Sequence, residues 1–246
     1  MSNNLIAMIV EGRDYEPRII ESIDKCFFKN KNGNIKFVPL PADQNIYMLW
    51  RRYIKFDDVD IIEVIRDFSE ITKKSLEGYN RDSFSEVYLF MDLDKQQNNL
   101  PKDVNPNEVV KEMLKTFDNE TENGKLYISY PMAEAIEDHI SNGCRPKNGK
   151  CYVNPYDKKY KDIIAKNRND KYIESLNDSD WNDFINIYQQ RLTCLFNKKE
   201  RISIKECKEI NSYSIYMKQQ DNQEGKILVI SAFPEFIIDY FKTEKI

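Results

Sequence analysis

Short, almost continuous apolar segments alternate with helical patterns in the first half of the chain. Residues 5–10 read Leu-Ile-Ala-Met-Ile-Val and residues 86–91 read Glu-Val-Tyr-Leu-Phe-Met, and shorter strands are predicted at 35–40 and 126–129. Strands that are apolar on both faces are typical of a parallel sheet covered by helices on both sides. The pattern therefore predicts an α/β fold with a mostly parallel sheet flanked by helices.

The segments between these strands have apolar residues at helical spacing. Helices are predicted from Glu16, over 45–76, from Asn105 to Phe117, and from Tyr130 onwards, where the last helix follows the fourth strand. Glu16 and Pro17 suit the first turn of a helix, because the helix dipole favours an acid there and proline lacks the N–H that this turn leaves unpaired.

The composition changes after Gly143. Residues 155–200 are rich in lysine, asparagine and tyrosine with helical periodicity, and 226–241 predict a strand that turns into a helix at Pro234. We therefore predict a metal-binding catalytic domain over 1–143. Residues 144–246 are predicted to form a mainly helical C-terminal region with a terminal strand and helix. Whether this region packs on the same core stays open.

Composition excludes several classes of protein. No apolar run approaches the roughly 18 residues needed to span a bilayer, so we expect a cytoplasmic protein with no membrane segment. The five cysteines are scattered and odd in number, which argues against a disulfide framework. His139 is the only histidine, so a zinc site with several histidines is excluded. The net charge of −4 disfavours tight nonspecific nucleic-acid binding but is compatible with a nuclease built on carboxylates.

Acidic residues follow three of the predicted strands. Glu11 follows the first, Asp92 and Asp94 follow the third, and Glu134 comes shortly after the fourth. In a parallel sheet, ligands gather at the carboxyl ends of the strands. Mg²⁺ prefers a few carboxylates and waters, so we predict that Glu11, Asp92 and Asp94 bind Mg²⁺ or Mn²⁺. Glu134 is a further catalytic candidate, although a solvated helix face explains it equally well.

Local basic segments occur despite the negative net charge. The segment at 158–161 contains Lys158, Lys159 and Lys161, with tyrosines nearby, and Arg51-Arg52 with Lys55 forms another. Lysines on phosphates with aromatic rings on bases are typical of single-strand recognition. The three lysines are therefore candidate nucleic-acid contacts. A composition rich in lysine, asparagine and tyrosine throughout is the competing explanation.

Two of these motifs resemble a known family. Val10-Glu11-Gly12 after one strand, and Phe90-Met91-Asp92-Leu93-Asp94 after another, resemble the two signatures of the TOPRIM fold of topoisomerases, primases and phage-defence nucleases. The string over 10–17 is similar to the Glu-Gly-x-x-x-Glu-Pro opening of abortive-infection and RloB-like TOPRIM proteins. The resemblance covers about residues 5–140 and implies that the helices over 45–76 contain an insertion.

The resemblance implies a function. Glu11 would be the general acid/base or metal-positioning residue, and Asp92 with Asp94 the metal ligands, of an Mg²⁺-dependent nuclease acting on DNA or RNA, with tRNA included. It further implies a toxic effector of anti-phage defence, controlled by a partner ATPase, since the chain itself has no phosphate-binding loop. A homodimer is left open. The alternatives are another phosphoryl-transfer enzyme, primase- or nucleotidyltransferase-like, and a non-catalytic TOPRIM-fold interaction subunit.

Overall fold

The structure of the protein is a computed structural model that describes residues 4–28, 35–56, 59–93, 95, 99–142, 151–157, 159–166, 173–221 and 225–241, without the side chains of 139–142 and 165. The predicted site residues Asp94 and Lys158 and the side chain of His139 lie outside the described part. Within the described part, no helix is both long enough and apolar enough to cross a membrane.

The chain forms two compact units. The first comprises Met1–Met91 and Gln97–Leu126, and the second comprises Asp92–Gln96 and Tyr127–Ile246. The division therefore differs from the boundary predicted at residue 143. The reason is visible at Tyr130, whose backbone N–H and carbonyl both bond to the backbone of Ile230, close to the C-terminus.

A mostly parallel sheet of five strands, flanked by helices, confirms the predicted α/β class. The strand order is β2-β1-β3-β5-β4. Strand β1 pairs in parallel with β2 on one side and β3 on the other, whereas β4 is antiparallel to β5. The strands are β1 (Asn4–Val10), β2 (Ile35–Pro41), β3 (Glu86–Asp92), β4 (Asp118–Asn119) and β5 (Gly124–Ser129).

The apolar pattern of the strands predicts their burial correctly. Every residue from Ile6 to Val10 in β1 is fully buried, and Val87 to Met91 in β3 are at most 4% exposed. Both faces of these strands are thus covered, as expected for a parallel sheet between helices.

Four helices of the first unit begin at polar caps. The side chains of Asn45, Asp60, Ser69 and Asn105 each accept a backbone N–H of the following helix, which satisfies one of its unpaired donors. The helices are α1 (Tyr15–Ile23), extended by a π-helical turn (Asp24–Phe28), α2 (Ile46–Tyr53), α3 (Ile61–Arg66), α4 (Glu70–Ser75) and α5 (Pro106–Thr116), with a 3₁₀ turn at Arg81–Ser83.

The second unit is mainly helical in the part that the structure describes. A short antiparallel pair of strands, β6 (Tyr152–Val153) and β7 (Ile227–Leu228), connects parts of it that are distant along the chain. The helices are α6 (Ala135–Asn142), α7 (Tyr160–Lys166), α8 (Asp178–Leu195), α9 (Ile204–Glu209), α10 (Ser212–Gln220) and α11 (Ala232–Tyr240), with a 3₁₀ turn at Ile173–Ser175.

Two predicted helix starts need correction. The helix after β5 begins at Ala135 and not at Tyr130, because the backbone of Tyr130 is engaged by Ile230. The last helix begins at Ala232, two residues before Pro234, because the Ser231 side chain caps it by accepting the N–H of Phe233 at 3.4 Å.

Candidate metal site at the strand ends

The turn that follows β1 is built around a buried glutamate. Glu16 lies in the first turn of α1 and is 7% exposed, and its Oε1 accepts a hydrogen bond of 2.9 Å from the backbone N–H of Gly12. A Cβ atom on Gly12 would lie 2.7 Å from Glu16 Oε2, closer than van der Waals contact allows. Glycine at position 12 therefore leaves room for the carboxylate, which in turn fixes the backbone directly after Glu11.

The segment that follows β2 forms hydrogen bonds to the same turn. The backbone N–H of Asp43 donates to the carbonyl oxygen of Glu11 at 3.0 Å. Arg13 donates from Nε to Asp43 Oδ1 at 2.9 Å and forms a second bond to Oδ2, and this hydrogen-bonded carboxylate raises the pKa of Arg13. The backbone of Glu11 is thus fixed from both neighbouring segments, while its side chain is half-buried.

Asp92 is the last residue of β3. Strand β3 is the parallel neighbour of β1, and the last paired residues are Val10 and Phe90. Glu11 follows Val10 directly, and Asp92 is two residues beyond Phe90. The next residue, Leu93, is fully buried, and its N–H donates to the carbonyl of Ser129 at 3.0 Å. The ends of β1 and β3 therefore belong to neighbouring strands that run in the same direction.

The third predicted ligand, Asp94, lies outside the described residues. Among the residues that are described, no group of three or more His, Cys, Asp or Glu side chains is arranged to hold a metal ion. Asp92 is half-buried, as Glu11 is. Carboxylates in such positions are accessible enough to bind an ion and sheltered enough to be held in place.

Glu134 and Lys161, which the sequence assigned to separate roles, contact each other. Lys161 Nζ lies 2.6 Å from Glu134 Oε1. Glu134 is 6% exposed, whereas the Lys161 side chain is 69% exposed. The lysine therefore neutralises a carboxylate that is otherwise costly to bury. Lys159 is exposed, and its backbone N–H donates to Asp157 at 2.9 Å.

A buried charged network lies next to this pair in the second unit. Arg191 is fully buried, with Nη2 3.6 Å from Asp138 Oδ1 and Nη1 donating to the carbonyl of Val229 at 3.0 Å. The Tyr160 hydroxyl donates to Asp138 Oδ2 at 3.0 Å, and burial, followed by the nearby Asp138 charge, raises the pKa of Tyr160 well above its ordinary value. The network ties α6, α7 and α8 together within the second unit.

Sequence reasoning missed the roles of Glu16 and Asp138. For Glu16 a signal was present, because the spacing Glu-Gly-x-x-x-Glu-Pro places it four residues after Gly12, where one turn of chain brings its carboxylate back to the N–H. For Asp138 there was none, since its partners Tyr160 and Arg191 are distant along the chain.

Comparison of the chain with protein-family models, with curated proteins and with solved structures found no match in any of the three.

Proposed function

We propose that the protein is a metal-dependent nuclease of TOPRIM-like fold, in which Glu11, Asp92 and Asp94 bind Mg²⁺ or Mn²⁺ and hydrolyse phosphodiester bonds in DNA or RNA. One observation carries the proposal, namely the parallel pairing of β1 and β3 with Val10 opposite Phe90. In parallel α/β sheets, ligands bind at the carboxyl ends of neighbouring strands, and acidic residues follow both of these.

The chemistry of the donor set fits a hard divalent cation. Carboxylate oxygens with completing waters are the ligands that Mg²⁺ prefers, and with a single histidine in the chain a zinc site of several histidines is excluded. When bound, the ion lowers the pKa of a bound water and neutralises charge on the phosphate. Glu11 would position the ion or accept a proton, and Asp92 with Asp94 would hold the ion.

The fixed backbone of the β1 turn supports a positioning role for Glu11. Catalytic and metal-binding side chains must be held by supporting hydrogen bonds, and removal of such support commonly costs about 10–100-fold in metal affinity or activity. The Glu16 carboxylate and the N–H of Asp43 supply this support on either side of Glu11.

The biological role within this proposal comes from the motif resemblance alone. The Glu-Gly-x-x-x-Glu-Pro opening is similar to that of abortive-infection and RloB-like proteins, which are commonly paired with an ATPase. The protein would then be a toxic effector of anti-phage defence whose activity a partner ATPase restrains. Restraint from outside is consistent with the absence of a phosphate-binding loop from the sequence.

The direct test is cleavage. Purified protein is incubated with Mg²⁺ or Mn²⁺ and plasmid, single-stranded DNA or total tRNA, and Glu11→Gln and Asp92→Asn are compared with wild type. Each substitution keeps the size of the side chain and removes its charge, so we expect activity to fall at least about 100-fold. The exposed Glu77 provides the matched control Glu77→Gln, which should cut as wild type does.

Cleavage that survives both substitutions would contradict the assignment of the site. Incorporation of labelled nucleotides without degradation would instead indicate a primase- or nucleotidyltransferase-like enzyme. A wild-type protein that neither cleaves nor binds Mn²⁺ would indicate a non-catalytic interaction subunit.

A further inference from the structure

A cavity of about 350 Å³ lies in the first unit, beside α2. Its lining combines three cationic side chains with two aromatic rings: Arg51, Arg52, Lys55, Phe56 and Phe68. We call it the basic-aromatic pocket. Its volume is at the small end of the range for small-molecule sites, about 300–1,000 Å³, and suits a ligand of the size of one nucleotide.

The cations of the pocket have no carboxylate partner among the described residues. Arg51 donates from Nη1 to the carbonyl of Asn99 at 3.0 Å, and within the described residues the side chains of Arg52 and Lys55 form no hydrogen bond or ion pair. Arg66 of the same unit differs, since it pairs with Glu63 at 2.6 Å. Clustered positive charges with no carboxylate partner in the described part of the chain attract an anion.

The two rings are arranged around the Arg52 guanidinium. Its central carbon lies 5.0 Å from the centroid of Phe68 and 5.9 Å from that of Phe56, so cation–π attraction holds the side chain in place. Phe56 is nevertheless 46% exposed, which is unusual for a large apolar side chain. An exposed ring next to a fixed guanidinium offers a surface on which a flat aromatic group can stack.

The pocket lies on a segment connected to the predicted metal site. Gln44, which also lines it, follows β2 by three residues, and the end of β2 is paired with the end of β1, with Pro41 opposite Val10. One residue that lines the pocket therefore comes shortly after the same sheet edge at which Glu11 follows β1.

From these observations we infer that the basic-aromatic pocket binds one nucleotide unit of a single-stranded nucleic acid. Arg51 and Lys55 contact the phosphate, and the base stacks on Phe56 and on the plane of Arg52. Guanidinium groups match phosphate geometry, and stacking on aromatic rings tolerates any base, which is the usual mode of single-strand binding. The identity of the ligand as a nucleic-acid strand rests on the proposed function, whereas the preference for a phosphate beside a base follows from the lining residues.

Binding is measured without metal, so that the outcome does not depend on cleavage. Fluorescein-labelled single-stranded DNA and RNA 12-mers are titrated in EDTA and followed by anisotropy, with a duplex and a mononucleotide as competitors. Lys55→Glu and Phe56→Ala change exposed side chains and should preserve the fold. We expect each to weaken single-strand binding by about tenfold, since one stacked base or one phosphate contact contributes on that scale.

A charge-matched control distinguishes the pocket from the overall charge. Lys73→Glu, on the exposed surface of α4, changes net charge as Lys55→Glu does and should leave the affinity within about twofold of wild type. Lys55→Gln should also reduce the salt slope of log Kd by about 0.7, the value for one phosphate contact to a single strand.

Several results would overturn the inference. These are a wild-type protein that binds no single strand, pocket variants that bind within twofold of wild type, and a duplex that competes better than the single strand. A mononucleotide that displaces the labelled 12-mer as well as the unlabelled 12-mer does would also overturn it, because the pocket would then be a free-nucleotide site. A Glu11→Gln protein that binds the 12-mers normally without cutting supports both proposals, whereas normal binding by a wild-type protein that never cuts refutes only the nuclease.

Discussion

The contact between Gly12 and Glu16 gives the sharpest test of how the β1 turn is held. In Glu16→Ala the Gly12 N–H loses its charged acceptor, and a hydrogen bond to a charged group contributes about 1.5–3 kcal/mol to stability. For a chain of this size each kcal/mol corresponds to a change in Tm of about 2–4 °C, so we expect Tm to fall by roughly 3–12 °C. Glu21→Ala, on the exposed face of the same helix, should cost less than about 0.5 kcal/mol.

The substitution Gly12→Ala tests the same contact from the other side. The new Cβ would lie 2.7 Å from Glu16 Oε2, so the carboxylate must move and give up its bond. Overpacking adds strain of about 1–3 kcal/mol, so the loss in the free energy of unfolding should at least match that of Glu16→Ala. In a Glu16→Ala background the crowding is gone, and Gly12→Ala should then cost little.

Wild type, Glu16→Ala, Gly12→Ala and the double variant form a double-mutant cycle, which is measured by urea unfolding. We expect a coupling free energy of at least about 1.5 kcal/mol between positions 12 and 16, because one contact is lost in either single variant. Additive effects, with a coupling below about 0.5 kcal/mol, would refute the claim that Glu16 organises the turn. Cleavage assays on the same proteins would then show whether the turn also positions Glu11.

Two further predictions concern the second unit. Asp138→Ala removes a carboxylate that pairs with the buried Arg191 guanidinium and should cost about 3–5 kcal/mol in urea unfolding. Arg191→Met should restore part of this loss, and a loss below about 1 kcal/mol would contradict the prediction. Burial, followed by the charge of Glu206, raises the pKa of Cys207 to about 12. The folded state therefore keeps a proton that the unfolded thiol loses near about pH 8.5. The contribution of the protonated Cys207 thiol to stability is fully present below about pH 8.5 and declines as pH rises towards 12. Unfolding free energies measured at about pH 8 and about pH 10.5 should thus differ less in Cys207→Ala than in wild type. The same difference in both proteins would refute the predicted effect of Cys207.

The strands were predictable from the sequence because their burial leaves a local trace. Parallel strands covered on both faces must be apolar at every position, and β1 and β3 show this over consecutive residues. The polar caps at Asn45 and Asp60 are equally local, since each contacts an N–H within three residues.

The remaining features depend on contacts between distant residues, which local patterns do not report. The start of α6 was wrong because Tyr130 pairs with Ile230, one hundred residues away. Glu134 and Lys161 were assigned to catalysis and to nucleic-acid binding, and nothing in either neighbourhood indicated that they form one ion pair. The basic-aromatic pocket likewise depends on a contact between Arg52, in α2, and Phe68, which follows α3.

The central claim is that acidic residues at the ends of β1 and β3 bind one divalent cation, and calorimetric titration with Mn²⁺ tests it most directly. We expect wild-type protein and Glu77→Gln to bind Mn²⁺ alike, and Glu11→Gln and Asp92→Asn each to bind it at least about tenfold more weakly. Equal affinity in all four proteins, or no binding by wild type, would contradict it.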